Sequence, residues 1–116
     1  MQYLLLIYGN ETDFAGYTDQ QREETYGRYR KLIDEIAQSG NFKGGNQLQP
    51  TSSASTVRVR NGKTSITDGP FAETREQLGG YFLIEAKNLD EANAIAARIP
   101  GAEVGSVEVR PIVVRG

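Results

Sequence analysis

The sequence predicts an α+β domain built as β-α-β, an inserted β-hairpin, then β-α-β. Three observations predict it. Residues 3–8 and 81–86 are apolar runs of strand length, as suits strands in the middle of a sheet. Thr18 with Gln21, and Asn88 with Glu91, are capping pairs that announce helices. Asn61-Gly62 sits between two alternating segments, the sequence mark of a two-residue type I′ hairpin.

Each element follows in order. Gly9-Asn10 breaks the first strand, and residues 10–17 read as a polar loop with Phe14 and Tyr17 as anchors. The helix after Thr18 places Tyr26, Tyr29, Leu32, Ile33 and Ile36 on one stripe, the spacing of a face packed on a sheet. Glu24 with Arg28, Arg30 with Asp34 and Lys31 with Glu35 are four-residue ion pairs on its wet side, each worth about 0.2–0.5 kcal/mol. Ser39-Gly40 ends it. Residues 42–49 read as a weaker strand loosened by Gly44-Gly45, and residues 50–55 as a small-polar connector.

The Asn-Gly turn sets the hairpin register: Arg60 opposite Lys63, Val59 opposite Thr64, Arg58 opposite Ser65, Val57 opposite Ile66. Val57, Val59, Thr64 and Ile66 then share one face, and Arg58, Arg60 and Lys63 the other. Gly79-Gly80 reads as a tight start to the strand at 81–86. The second helix buries Leu89, Ala92, Ile95, Ala96 and Ile99, and Pro100-Gly101 stops it. Residues 106–111 form the last strand, with Val107 and Val109 inward, and residues 112–114 an apolar tail. Without the hairpin, two βαβ-like halves remain, the ferredoxin-like pattern. Such a sheet has helices on one side only. Its bare side must be covered, and a homodimer covers it.

Composition narrows the chemistry. The 116 residues make one domain, with about two-thirds of the unfolded surface buried. Thirteen basic against fifteen acidic residues leave a net charge of −2, which argues against direct nucleic-acid binding. The chain lacks cysteine and histidine, so thiolate nucleophiles, imidazole bases and the usual structural zinc sites are excluded. No metal and no cofactor is expected. No phosphate-loop or dinucleotide spacing is present. No cleavable signal or membrane span is read, so the expectation is a soluble cytoplasmic protein.

The run Asp68-Gly69-Pro70-Phe71-Ala72-Glu73-Thr74 is a proline-stiffened corner. Parity points Asp68 to the same side as Ile66, the apolar side of the hairpin. Pro70 has no N–H for an Asx turn, and Gly69 precedes proline and is pushed toward extended backbone. The carboxylate must therefore find the N–H of Phe71 or Ala72, an arginine, or a ligand. Two readings are open. In one, Asp68 is a turn residue and Pro70 begins a short helix through residues 72–77. In the other, Asp68 contacts a ligand or takes a proton, its pKa raised at the rim of an apolar cleft. Tyr8 and Tyr81 are further ligand-binding candidates, although their strands run in opposite directions and need not bring them to one end of the sheet. Gln47, with Asn46, could present an amide beside two glycines. Arg58 could clamp a carboxylate or pair with Asp68 or Glu73, and Phe71 lies within the corner itself.

The words Asp68-Gly69-Pro70-Phe71-Ala72-Glu73-Thr74, Glu76-Gln77-Leu78-Gly79-Gly80-Tyr81 and Gly105-Ser106-Val107-Glu108-Val109-Arg110-Pro111 resemble the YCII-related family in its DGPF-motif branch. The resemblance runs from the Tyr3-Leu4-Leu5-Leu6-Ile7-Tyr8 opening almost to the C-terminus. It implies a dimeric α/β barrel. It also implies, in part, an enzyme site: some relatives carry a histidine–aspartate pair, of which this chain matches only the aspartate, at Asp68. Tyr8, Tyr81 or a bound water must stand in for the histidine. The first function class is thus a small-molecule-binding or cofactor-free enzyme-like homodimer using Asp68. The second is a non-catalytic regulatory module with an extracytoplasmic-function sigma factor as its protein partner, which the family context implies.

Overall fold

A computed structural model describes residues 1–115. The strands are β1 (Gln2–Gly9), β2 (Phe42–Gln47), β3 (Ser55–Arg60), β4 (Lys63–Asp68), β5 (Gln77–Glu85) and β6 (Ser106–Pro111). The helices are α1 (Glu11–Ala15), α2 (Asp19–Gln38) and α3 (Leu89–Ala96), with short 3-10 turns at Thr51–Ser53 and Pro100–Glu103. Four strands form an antiparallel sheet in the order β2-β5-β1-β6, and β3 and β4 form a separate two-stranded ribbon. The two apolar runs are the central strands, as read from the sequence. This is a mixed α+β architecture consistent with a ferredoxin-like fold.

Local chemistry sets the helix starts. Thr18 accepts from the Gln21 N–H at 3.1 Å while the Gln21 side chain accepts from the Thr18 N–H at 2.8 Å. Asn88 likewise accepts from the Glu91 N–H at 2.9 Å. Each bond satisfies an otherwise orphaned donor of the first turn, a cap worth about 1 kcal/mol.

The core lies between the sheet and the long helices. It takes Tyr3 and Leu5 from β1, Phe82 and Ile84 from β5, Leu32 and Ile36 from α2, and Ala92, Ile95 and Ala96 from α3, with Ala86 and Ile99 beside them. Leu5, Ile36, Ile84 and Ile99 are fully buried, each contributing about 1.5–3 kcal/mol. The Phe82 ring stands edge-on between Tyr29 (6.3 Å, 89°) and Phe42 (5.5 Å, 87°).

Several expectations are corrected. Residues 11–15 are helical rather than loop, because Asn10 caps the Asp13 N–H at 3.1 Å. Strand β2 stops at Gln47 rather than continuing to residue 49. Strand β5 begins at Gln77, four residues before the expected start, and carries a bulge opposite Ile7 and Tyr8. Gly80 is buried within it: an added Cβ would lie 3.0 Å from the Asn46 carbonyl oxygen. Leu89, expected in the core, is exposed at the first turn of α3. The helix-surface ion pairs give way to longer-range ones, Arg28 with Glu103 and Arg98 with Glu35, which tie α2 to the segment after it in space.

The hairpin register is the one the Asn-Gly turn dictates, from Ser55 opposite Asp68 to Arg60 opposite Lys63. Asn61 and Gly62 both take the positive φ that a type I′ turn requires, 53° and 76°. The ribbon does not fold back on the body. The radius of gyration is 16.2 Å, against about 13 Å for a compact chain of similar length.

Candidate site at the base of the hairpin

The corner after β4 is built on Gly69. Its φ of 99° is open to glycine and costly for other residues, so glycine's left-handed freedom, rather than the expected extended push, shapes the bend. The Gly69 N–H donates to the Ala54 carbonyl at 2.7 Å, and the Gly69 carbonyl accepts from Thr56 Oγ1 at 2.8 Å. Both bonds lock the corner to the start of β3. The short helix considered for residues 72–77 does not form: bends lead directly into β5.

Asp68 closes the ribbon opposite Ser55 and is exposed. No side-chain hydrogen bond or ion pair joins it to the described residues, so its oxygens are not spent on its own turn. Nor do they face a water-poor cleft of this chain. From the sequence, parity sets Asp68 beside Ile66 and so at the rim of an apolar cleft. The parity holds, but the apolar strip it belongs to is bare. Val57 is 60%, Val59 57% and Ile66 70% exposed.

Arg58 lies on the opposite side of the ribbon and bonds neither Asp68 nor Glu73. Its Nη2 donates to the Phe71 carbonyl at 3.4 Å, and the Phe71 ring beyond is 77% exposed. These two candidates are therefore brought together, on the side of the ribbon away from Asp68. Tyr8 and Tyr81 are also neighbours, contrary to the worry over strand direction. Because β1 and β5 are antiparallel, the end of one lies beside the start of the other: Tyr81 faces Leu6 and Tyr8 faces Leu78. Alternation puts both on the side of the sheet away from the helices, with Leu4, Leu6 and Leu83. There Tyr81 accepts from Asn46 Nδ2 at 3.0 Å, leaving its own proton available for donation. Gln47 is separated from this group. It sits on the helical side, donating to the Tyr26 hydroxyl at 3.3 Å.

An open hollow of about 320 Å³ lies at the root of the corner, lined by Thr51, Pro70, Ala72, Glu73, Thr74 and Gln77. Its wall is held by a knot the sequence did not reveal. The Glu11 carboxylate accepts from the Thr51 N–H at 2.7 Å and from Thr51 Oγ1 at 2.8 Å. The Glu11 N–H donates to Gln77 Oε1 at 3.0 Å, and Gln77 Nε2 donates to the Thr74 carbonyl at 2.5 Å. Three segments far apart in sequence meet here, and no local pattern announces it. On the far side of α1, Arg22 Nη2 donates to the carbonyls of Phe14 (3.3 Å) and Ala15 (2.9 Å) and so fastens the short helix to α2.

Electrostatics on the helical side is distinct from the corner. Burial raises the Tyr29 hydroxyl above its ordinary value of 10.0, although the Gly101 N–H that donates to it pulls the other way. The hydrogen bond from Arg28 lowers the Glu103 carboxyl. Among the described residues no group of three His, Cys, Asp or Glu is placed to hold a metal ion, and no helix is long and apolar enough to cross a membrane.

A protein of Rhizobium meliloti (strain 1021), described only as uncharacterized, is 35% identical over 114 residues, which span 97% of this chain and 92% of that protein. Residues 1–114 match the YCII-related domain. The antiparallel sheet, the ribbon inserted ahead of its third strand and this end-to-end match agree, and the chain belongs to the YCII-related family.

Proposed function

We propose that the protein acts as a homodimer that binds a small molecule at the Asp68 corner. Asp68 is its hydrogen-bond acceptor or proton-accepting base, and the site uses no cofactor. The observation that carries this reading is the state of Asp68: a carboxylate left free by its own turn, in register with an apolar strip that its own chain leaves bare. Covering that strip removes water from the carboxylate, and a desolvated carboxylate is a stronger base and a more selective acceptor. Tyr81, oriented by Asn46, supplies a donor where relatives use histidine, with Tyr8 beside it. Arg58 and Phe71 offer charge and an aromatic surface for an anionic or carbonyl ligand. The side of the four-stranded sheet away from the helices, where Leu4, Leu6 and Leu83 are only half-buried, supports the dimeric α/β barrel arrangement. The run from Asp68 to Thr74 supports the DGPF-motif branch, and we place the protein in the cytoplasm.

A thermal-shift screen of small carboxylates and carbonyl compounds, run on the wild type and on Asp68→Asn, tests this reading. A ligand at a hundredfold excess over its Kd adds about 2.7 kcal/mol to stability. The Asn variant should lose most of the resulting shift, since a bond to a charged group is worth about 1.5–3 kcal/mol. Ligands that stabilise both proteins equally would remove Asp68 from the site.

The exposed Val104, Val113 and Val114, remote from the corner in sequence, favour a second reading, a regulatory module that docks a sigma-factor protein. Co-purification of a cognate sigma factor with Asp68→Asn as readily as with the wild type would support it.

A further inference from the structure

The β3–β4 ribbon combines three properties that call for one explanation. It is apolar along one side, basic along the other, and placed where its own chain does not cover it. The Cα extents of 47 × 47 × 19 Å leave a thickness suited to two packed layers at about 10 Å spacing, the sheet and its helices. A ribbon lying across the open side of its own sheet would add a third layer. The ribbon instead stands beside the body, which leaves the ribbon's apolar side bare and the sheet's open side only partly covered, with Leu4, Leu6 and Leu83 half-buried.

Resting on the homodimer reading above, we infer that the β3–β4 hairpin is an arm exchanged between two copies. Its apolar side lies on the open side of the other copy's sheet, so that each Asp68 sits in a seam walled by both chains. Charge favours a second copy over a nucleic acid or another anionic surface. Arg58, Arg60 and Lys63 against Asp68 leave the arm at +2, and with the whole chain at −2 the remainder carries −4. The arm therefore carries a net sign opposite to that of the body it approaches, which favours the encounter, while its three basic side chains lie on the side turned away from the sheet and leave the contact itself apolar. Its apolar strip, Val57, Val59, Thr64 and Ile66, matches a sheet side bearing Leu4, Leu6, Leu83 and the rings of Tyr8 and Tyr81. Asp68 belongs to the same strip by register, so whatever dries Ile66 also desolvates Asp68. The two halves of the site, the carboxylate on the arm and the tyrosine donors on the sheet, then come from different chains.

Photo-cross-linking tests the arrangement. Ile66 is replaced by p-benzoylphenylalanine in full-length protein, with Val57 as a second position, because both side chains are exposed in the single chain and tolerate the change. Isotopically light and heavy chains are mixed, sedimentation establishes the oligomer, and linked peptides are mapped by mass spectrometry after irradiation. Light–heavy links from the arm to β1, β2, β5 or β6 are the expected result. Links from arm to arm alone, links to the helices, links confined to one chain, or a dimer without links each overturn arm exchange and leave the homodimer standing. A monomer by sedimentation overturns both.

Discussion

Two residues show how far side-chain chemistry follows from pattern. Asp68 was legible as a candidate because parity and the missing Pro70 N–H are local; the parity holds, while the extended push on Gly69 gives way to a positive φ. Its exposure was not legible, because alternation names the side of a ribbon and says nothing about what covers that side. Tyr29 shows the converse. Its place on the buried stripe of α2 was readable, but its role as acceptor for the Gly101 N–H at 3.2 Å depends on a turn 72 residues away. That contact carries a pH consequence. Burial favours the neutral hydroxyl, so the folded-state pKa lies above the unfolded value of 10.0. The stabilisation is complete below the unfolded value and is lost as pH rises through the folded one. Tyr29→Phe leaves the Gly101 donor without its acceptor and should cost about 1 kcal/mol near neutrality. Urea unfolding across the alkaline range should show the gap between variant and wild type shrinking above pH 10, since phenylalanine has no proton to lose. A gap constant with pH would mean that Tyr29 ionises as readily folded as unfolded.

At the level of elements, the sequence was most readable where one residue type has one structural use. The Asn61-Gly62 turn determined all the pairings of the ribbon, and the two capping pairs located α2 and α3. It was least readable where glycine has several uses. Gly79-Gly80 looked like a strand boundary, yet β5 runs through both, with Gly80 pressed so close to β2 that an added Cβ would lie 3.0 Å from the Asn46 carbonyl oxygen. The helix α1 was missed because five residues cannot show a period. It persists because tertiary bonds hold both of its ends. Glu11 anchors the start through Thr51 and Gln77, and Arg22 holds the carbonyls at its end. Glu11→Ala should therefore destabilise the protein by about 1–3 kcal/mol, the cost of stranding a half-buried donor that had a charged acceptor. Hydrogen exchange should quicken in α1, at the Thr51–Ser53 turn and around residues 74–77 together, with the core strands little changed. Faster exchange in α1 alone would show that the hollow's wall holds without Glu11.

Molecular shape follows from a conflict that no single element can resolve. The helical side of the sheet is closed by a core of ordinary composition, while the other side leaves its leucines half-buried and the ribbon exposes valines and an isoleucine that a monomer gains nothing by presenting. Isolated exposed apolar residues are ordinary, whereas a contiguous apolar strip is the kind of surface that the proposed second copy would cover. The triple variant Val57→Ser, Val59→Ser, Ile66→Ser separates folding from association. Within one chain these side chains lie in solvent, so each change should alter unfolding stability at high dilution by no more than about 0.5 kcal/mol. Between chains each full burial is worth about 1.5–3 kcal/mol, and every 1.4 kcal/mol lost weakens the complex about tenfold. The variant should therefore sediment as a folded monomer at concentrations where the wild type is dimeric, with Kd raised at least about a hundredfold. Its circular dichroism should be unchanged, and its Asp68-dependent ligand shift should be lost along with the dimer. Equal dimerisation by variant and wild type would mean that the ribbon serves something other than its own second copy.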